Sequence, residues 1–118
     1  MHVKKFLAIY LGTTERLARW EALPAAQQAE REKAGMAGWS KWAMDNVGST
    51  VDGGGPLGKT KRIDPQGITD IRNPMAAYTI VEAESHQAAA QLFRNHPHFM
   101  LFPGDAVEVM ECLPIPGM

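Results

Sequence analysis

Residues 76–97, AAYTIVEAESHQAAAQLFRNHP, decide the fold because they contain a strand, a helix cap and a helix in succession. Apolar and β-branched residues dominate 76–83, which is typical of a strand. Ser85 can cap the following helix, and Pro97 is expected to end it. The apolar face of that helix consists of Ala88, Ala89, Leu92 and Phe93. The stretch therefore predicts a strand followed by a helix that packs against it.

Two further strands are indicated, by VKKFLAIYLG at 3–12 and by AVEVMEC at 106–112. Alternation in the first places Phe6, Ala8 and Tyr10 on one side and Leu7 and Ile9 on the other. Both sides are apolar, which favours a strand that is covered on both faces.

The chain between these strands changes from helical to glycine-rich. Thr13 or Thr14 can cap a short helix, and Pro24 suits the first turn of a longer one. Gly35 and Gly38 either break the longer helix or admit a close neighbour. We expect its apolar stripe to consist of Ala26, Ala29, Met36, Trp39, Ala43 and Val47.

Residues 49–74 contain many glycines and prolines and predict a twisted hairpin or a long loop, with a bulge or turn at Gly53–Gly55. The resulting order is β-α-β-β-α-β. We therefore expect a single domain over 1–118 of the α+β, ferredoxin-like class. It would have a four-stranded antiparallel sheet with helices on one face.

Composition limits the partners. A net charge of −1 gives no basis for binding nucleic acid or an anionic membrane. The single cysteine, Cys112, is expected to be a buried strand thiol. The N-terminal apolar run is too short for a signal peptide or a membrane span, so a cytoplasmic location is expected. No cofactor is expected, because GGGPLG at 53–58 matches neither a phosphate loop nor a dinucleotide fingerprint.

FLAIY, the GGGPLG loop after a long helix, AYTIVEAESHQAAAQLFRNHP and the closing GDAVEVMECLPIP together resemble the YCII-related family, in its DGPF-domain branch. The resemblance spans nearly the whole chain. It implies a dimeric α+β barrel, in which two four-stranded sheets pair face to face with helices outside. Relatives include dehalogenating lyases that act on ring compounds, and muconolactone isomerases share the fold. The histidine that YCII-like proteins carry on the first long helix has no counterpart in AGWSKW at 37–42.

Three residues are candidates for proton transfer: Glu108, His98 and Asp52. Glu108 lies among apolar residues of the last strand, where desolvation would raise its pKa. The alternative is an ion pair with Lys4, Lys5 or Arg62 across the sheet or the dimer. Asp52 precedes the glycines that let a backbone approach a ligand. His98 would approach Glu108 if the chain folds back at Pro103 and Gly104.

The candidate ligand-binding residues are Trp42, Tyr10 and Pro56. Trp42 can border a cavity for a planar ligand, with core packing as the alternative. His96 is expected to bond to the carbonyls at the end of its helix. No metal site is expected, because proline separates the two histidines of HPH and no third ligand has a suitable spacing.

These features favour a homodimer that binds a small organic ligand. The leading hypothesis is a lyase or isomerase acting on a small organic acid or ring compound. The alternatives are a non-catalytic ligand-binding module and a protein-interaction module, the latter because DGPF-type proteins are linked with alternative sigma factors. The homodimer follows because a sheet covered on one face would expose Phe6, Tyr78 and Ile80.

Overall fold

The computed structural model describes residues 3–100 and 104–117, and its main element is a four-stranded antiparallel sheet in the order β2-β5-β1-β6. A separate hairpin is formed by β3 and β4. The strands are Lys4–Leu11 (β1), Thr50–Pro56 (β2), Thr60–Asp64 (β3), Gly67–Ile71 (β4), Met75–Ala83 (β5) and Ala106–Glu111 (β6). The helices are Thr14–Glu21 (α1), Ala25–Asp45 (α2), His86–Gln91 (α3) and Pro97–Met100 (α4), with a 3₁₀ turn at Val47–Ser49. The predicted ferredoxin-like class is confirmed.

Strand register divides the sheet into a covered face and an open face. On the covered face, Phe6 pairs with Val81 and Tyr10 with Ala77, and all four are buried under the helices. The open face carries the cross-strand pairs Leu7–Ile80 and Ile9–Tyr78, which are only partly buried. Phe6 therefore does not share a face with Tyr78 and Ile80, because the register places it one residue out of phase with them.

The predicted stripe of α2 is correct at Trp39 and wrong at its other members, which are exposed. Met36 is 64% exposed and Val47 is 73% exposed, whereas Gly35 is buried. Trp39 and Trp42 pack against the core from this helix. The helix is continuous from 25 to 45, so Gly35 does not break it. The face towards the sheet thus consists of a glycine and bulky aromatic rings, whereas the alanines are exposed and favour the helix through their propensity.

The helix caps at Thr13 and Ser85 agree with the sequence-based prediction, whereas the predicted end of α3 does not. Thr13 accepts a hydrogen bond from the Arg16 N–H, and Ser85 accepts one from the Ala88 N–H. However, α3 ends at Gln91, and Asn95 has a left-handed φ of 56°. Pro97 consequently begins α4 instead of ending the preceding helix, which suits its fixed φ and missing N–H.

The glycine-rich segment forms β2, which pairs irregularly with β5. The register shifts on both sides of Asp52, as expected for bulges at Gly53–Gly55. Gly54 has φ +65°, and a side chain there would collide with the Tyr78 carbonyl. Glycine at this position therefore allows β2 to remain close to β5.

The described chain exposes much more surface than a compact protein of its size. Its accessible area is 8607 Å², against about 6,300 Å² for a folded monomer of this mass. Its radius of gyration is 16.3 Å, against about 13–14 Å for a compact chain of this length. Among the described residues, no helix combines the length and apolar character needed to cross a bilayer.

Candidate functional site

His96 is the centre of a polar cluster between the covered face of the sheet and the helices. Its side chain is fully buried. Its Nδ1 accepts the His98 backbone N–H at 3.0 Å, and its Nε2 lies 3.4 Å from the Tyr10 hydroxyl. The prediction that His96 bonds to carbonyls at its helix end is therefore wrong. The turn at 92–95 rotates the ring into the core instead.

These contacts determine the direction of a chain of hydrogen bonds. Because Nδ1 of His96 is an acceptor, the neutral ring carries its proton on Nε2 and donates to Tyr10. Tyr10 then donates to Thr79 Oγ1 at 3.0 Å, and Thr79 donates to the Gly53 carbonyl at 3.3 Å. The chain runs from beneath the helices, through β1 and β5, to β2. It ends one residue from Asp52.

Burial keeps the members of this cluster uncharged at neutral pH. Desolvation, followed by the charge of nearby His98, lowers the pKa of His96 to about 4. Desolvation also raises the pKa of Tyr10 to about 12, against an opposing effect of its bond to Thr79. The result is a neutral imidazole beside a protonated phenol. Such a pair can donate and accept hydrogen bonds without burying a net charge.

His98 lies at the edge of the cluster and is held by backbone groups. Its Nε2 donates to the Leu11 carbonyl at 2.8 Å. Desolvation lowers the pKa of His98, although the carbonyls of Leu11 and Ala106 and the charge of Asp105 act in the opposite direction. A side chain at Gly104 would collide with both the ring and the carbonyl of His98. Gly104 therefore provides the space in which His98 sits.

Aromatic rings form the walls of the cluster. Trp39 lies 4.7 Å from Tyr10 and 4.6 Å from His96, measured between ring centroids. Trp42 lies 4.8 Å from His96, and its Nε1 donates to the Leu92 carbonyl at 2.9 Å. Phe93 stacks on His96 at 6.0 Å. Flat faces of this kind suit a planar ligand as well as they suit core packing.

The predicted site residues are therefore brought together only in part. Tyr10, Trp42 and His98 belong to the cluster. Asp52 is exposed on β2, where its Oδ1 accepts the Gly54 N–H at 2.8 Å. Pro56 is exposed at the end of β2, where it pairs with Ala77.

Glu108 lies on the opposite side of the sheet from His98. It pairs with Ile9 on the open face and is exposed, so the expected desolvation is absent in the single chain. The expectation that His98 and Glu108 line one cavity is not met, and Pro103 of the proposed fold-back lies outside the described residues. Two of the three suggested ion-pair partners bind elsewhere: Lys4 contacts Glu111, and Arg62 contacts Asp64.

Cys112 is also exposed, which corrects the expectation of a buried thiol. It follows β6 directly, and strand alternation assigns it to the open face.

Within residues 3–100 and 104–117, no three histidine, cysteine, aspartate or glutamate side chains lie close enough together to hold a metal ion.

A second concave region lies away from the cluster, at the base of the β3–β4 hairpin. It is an open cleft of about 970 Å³, lined by residues that include Lys59, Lys61, Asp70, Arg72 and Met75. None of the residues predicted for the site lies in it. Its openness and its mixed charges distinguish it from an enclosed ligand pocket.

Sequence reasoning missed His96, Thr79 and Trp39 as members of the cluster. From the sequence, His96 is expected at its helix end and Trp39 on the apolar stripe of the long helix, and Thr79 has no expected role. The available signal was alternation: Tyr10 and Thr79 occupy the same face as the buried apolar residues of their strands. A polar residue on that face needs a buried hydrogen-bond partner. The two histidines of HPH at 96–98 follow the same strand and helix in the sequence and could supply one.

The fold is shared with a structurally characterised enzyme. The chain superposes on 5-chloro-2-hydroxyhydroquinone dehydrochlorinase from Burkholderia phenoliruptrix AC1100, solved in complex with 2,5-dihydroxybenzoquinone. The TM-score is 0.52, the sequence identity is 19%, and 89% of each chain is covered. No protein-family model matches the sequence, and neither does any curated protein. The likeness establishes the fold alone, an α+β domain with a four-stranded antiparallel sheet and helices on one face.

Proposed function

We propose that the protein binds a small, planar organic acid or hydroxylated ring compound and acts on it as a lyase or isomerase by proton transfer. The observation that supports this most is the hydrogen-bonded chain from His96 through Tyr10 to Thr79, enclosed by aromatic rings. The group proposed to transfer the proton is His98, whose backbone N–H bonds to His96 and whose ring centroid lies 5.3 Å from that of Tyr10. On this proposal the chain is a member of the YCII-related family, in its DGPF-like branch.

The dehydrochlorinase with the same fold supports the choice of ligand class. That enzyme is named for a chlorinated hydroxyhydroquinone and was solved with a dihydroxylated quinone. Both compounds are planar rings with hydroxyl groups. Trp39 and Trp42 offer flat faces for such a ring, and Tyr10 and His98 offer polar groups at its edge.

The proposed roles follow from position. His98 is the residue of the HPH pair closer to the surface, so it is the proposed base, with Tyr10 as a ligand-binding residue. Asp52 is proposed to act from β2, where the hydrogen-bond chain ends. Glu108 lies on the open face, so its proposed role belongs to the interface with a second copy of the chain and not to the His96 cluster.

A homodimer is part of this proposal. The open face carries Leu7, Ile9, Tyr78 and Ile80 in a half-exposed apolar patch. The chain exposes roughly 2,300 Å² more than a compact monomer of its mass, and a standard interface buries about 800 Å² on each partner. Face-to-face pairing of two sheets would cover the patch.

Tryptophan fluorescence provides a direct test. 2,5-Dihydroxybenzoquinone is titrated into the purified protein, and we expect quenching with a dissociation constant between about 1 µM and 1 mM, the usual range for enzyme substrates. Trp42→Phe should reduce the quenching, whereas Trp20→Phe, on helix α1, which contains no fully buried residue, should leave it intact. Saturable quenching that is insensitive to Trp42→Phe would exclude the cluster as the binding site.

Turnover is tested separately, by chloride release from a chlorinated hydroxyhydroquinone. His98→Gln should abolish release while the binding of dihydroxybenzoquinone persists. Binding without turnover in the wild-type protein would instead favour the second candidate function, a non-catalytic ligand-binding module. One observation supports that alternative. Every buried side-chain polar atom among the described residues already has a hydrogen-bond partner, which is typical of a preformed binding or structural network.

A further inference from the structure

The β3–β4 hairpin is a well-formed element with little support from the rest of its own chain. Its five residue pairs extend from Thr60–Ile71 to Asp64–Gly67. The turn is fixed by a hydrogen bond from the Gln66 N–H to Asp64 and by a positive φ at Gly67. Among the described strands, β3 and β4 pair only with each other. A two-stranded hairpin of this kind is marginal in water unless another surface covers it.

The hairpin also exposes apolar side chains. Ile63 and Ile68 are direct cross-strand partners, so both project from the same face. They are 73% and 68% exposed, respectively. A neighbouring pair of exposed isoleucines on a projecting element is typical of a protein contact surface.

The ionic groups of the hairpin segment, residues 57–73, are unbalanced. It contains four cations and two carboxylates. Lys61 contacts Asp70 and Arg62 contacts Asp64, so both carboxylates are already paired. Lys59 and Arg72 have no ion-pair partner within the described residues.

The C-terminal segment, residues 104–117, has the opposite character. It contains three carboxylates and neither lysine nor arginine. Asp105 contacts Arg16 and Glu111 contacts Lys4, which leaves Glu108 without an ion-pair partner in the described chain. Leu113 and Ile115 of this segment are strongly exposed. The two segments are thus complementary in charge, and both present apolar side chains.

Sheet topology places these segments at opposite edges. The hairpin continues from β2 at one edge, and the C-terminal segment includes β6 at the other. A twofold axis between two stacked sheets, parallel to the strands, sets the β2 edge of each copy over the β6 edge of the other. Such a rotation preserves the level along the strands. Ala77 pairs with both Pro56 and Tyr10, and Tyr10 pairs with Val107. The start of the hairpin, just after Pro56, is therefore at the same height along the strands as Val107 and its neighbour Glu108.

We propose that residues 57–73 form an arm that docks on β6 and the C-terminal segment of a second copy of this chain, with Lys59 and Arg72 facing Glu108 of that copy. The inference rests on the homodimer of the proposed function. The arm would join the edges of the two sheets in that dimer. It would also give Glu108 a counter-charge that the described residues of its own chain do not supply. In a twofold dimer this contact occurs twice.

The test is the dimer dissociation constant, measured by sedimentation at low and high salt. We expect Lys59→Glu with Arg72→Glu to weaken the dimer at least tenfold, and Glu108→Lys in the same chain to restore much of the loss. The matched control is Arg31→Glu with Lys33→Glu, which makes the same charge change on the exposed side of α2 and should shift the constant less than threefold. An arm variant that dimerises as tightly as the control overturns the proposal.

A second measurement needs no variant. Hydrogen exchange of the amides at 60–71 should slow as the wild-type protein is concentrated through its dimerisation range. Exchange that is independent of concentration, in a protein that does dimerise, overturns the arm while the face-to-face dimer stands. A wild-type chain that stays monomeric at 100 µM overturns both the arm and the dimer. Ligand binding by the His96 cluster is decided separately by the fluorescence titration.

Discussion

The two faces of the sheet are built from similar residues and have different environments. The covered face carries Phe6, Tyr10 and Val81, all fully buried. The open face carries Leu7, Ile9 and Ile80, all partly exposed. Both sets are apolar, and both alternate along the same strands. Within the described residues, the helices cover the first set and leave the second open.

Polar groups show what this difference means. On the covered face Thr79, Tyr10 and His96 are buried. His96 donates a hydrogen bond to Tyr10, and Tyr10 donates one to Thr79. On the open face Glu108 remains exposed and has no ion-pair partner in its own described chain. A polar residue is thus tied to a specific neighbour where the chain covers it, and it remains available to a second molecule where the chain does not.

The largest expected effect is at Tyr10, the bulky residue at the centre of the covered face. Tyr10→Ala removes a ring in contact with Trp39 and His96, so unfolding should become easier by about 3–5 kcal/mol. Tyr10→Phe keeps the ring and leaves Thr79 and His96 without their partner, at a cost of about 1–3 kcal/mol. Both are measured by urea unfolding.

The matched control is Ile9→Ala on the open face. Ile9 is partly exposed in the single chain, so its loss should act mainly through the dimer and become larger as protein concentration rises. The Tyr10 variants should lose similar stability at 1 µM and 50 µM. Equal, concentration-independent losses at Ile9 and Tyr10 would mean that the two faces do not differ as described.

Gly104→Ala tests the edge of the covered face. The added methyl group meets the ring and the carbonyl of His98, neither of which can move freely, so we expect a loss near the upper end of the ~1–3 kcal/mol typical of overpacking. Gly58→Ala is the matched control, because nothing lies within 4 Å of a side chain there. A neutral Gly104→Ala would show that His98 can leave its position without cost.

The comparison also shows how far the sequence determines the molecule. Alternation at 3–12 correctly separates Phe6 and Tyr10 from Leu7 and Ile9. The Ser85 cap is correctly assigned, and Thr13 is one of the two candidates for the first cap. Alternation cannot tell which set the helices will cover, because both are apolar. The position of His96 depends on a left-handed residue, Asn95, in a turn that no periodicity marks. The opposite orientations of Glu108 and His98 depend on pairing between distant segments, which local pattern does not encode.

Acid should lower the free energy of unfolding through the buried His96 on the covered face. The pKa of His96 is about 4 in the fold, below its ordinary value of 6.5. Between these two values the unfolded chain binds the proton more readily, so stability is complete above about pH 6.5 and falls as pH approaches 4. From pH 7.5 to pH 5 the loss due to His96 is on the order of 2 kcal/mol.

The lowered pKa of His98 contributes with the same sign. The check is the midpoint of urea unfolding at each pH for the wild-type protein and for His96→Gln. The variant is expected to be less stable at pH 7.5 and to show a shallower decline towards pH 5. A variant with an unchanged pH slope would show that His96 is not the buried titrating group.

The smallest expected effect on stability is at Glu108 on the open face, and it contrasts with the larger effect expected at His98 on the covered face. Glu108→Gln keeps the shape of an exposed side chain and removes its charge, so the unfolding free energy should change by less than about 1 kcal/mol, as for a surface ion pair. His98→Gln, on the covered face, should cost more, because it disturbs the hydrogen bond to Leu11 within the buried cluster. If Glu108 takes part in the chemistry, ligand binding or turnover will fall in Glu108→Gln even though stability does not. A loss of several kcal/mol with ligand binding intact would instead identify Glu108 as a structural residue, buried by the second copy of the chain.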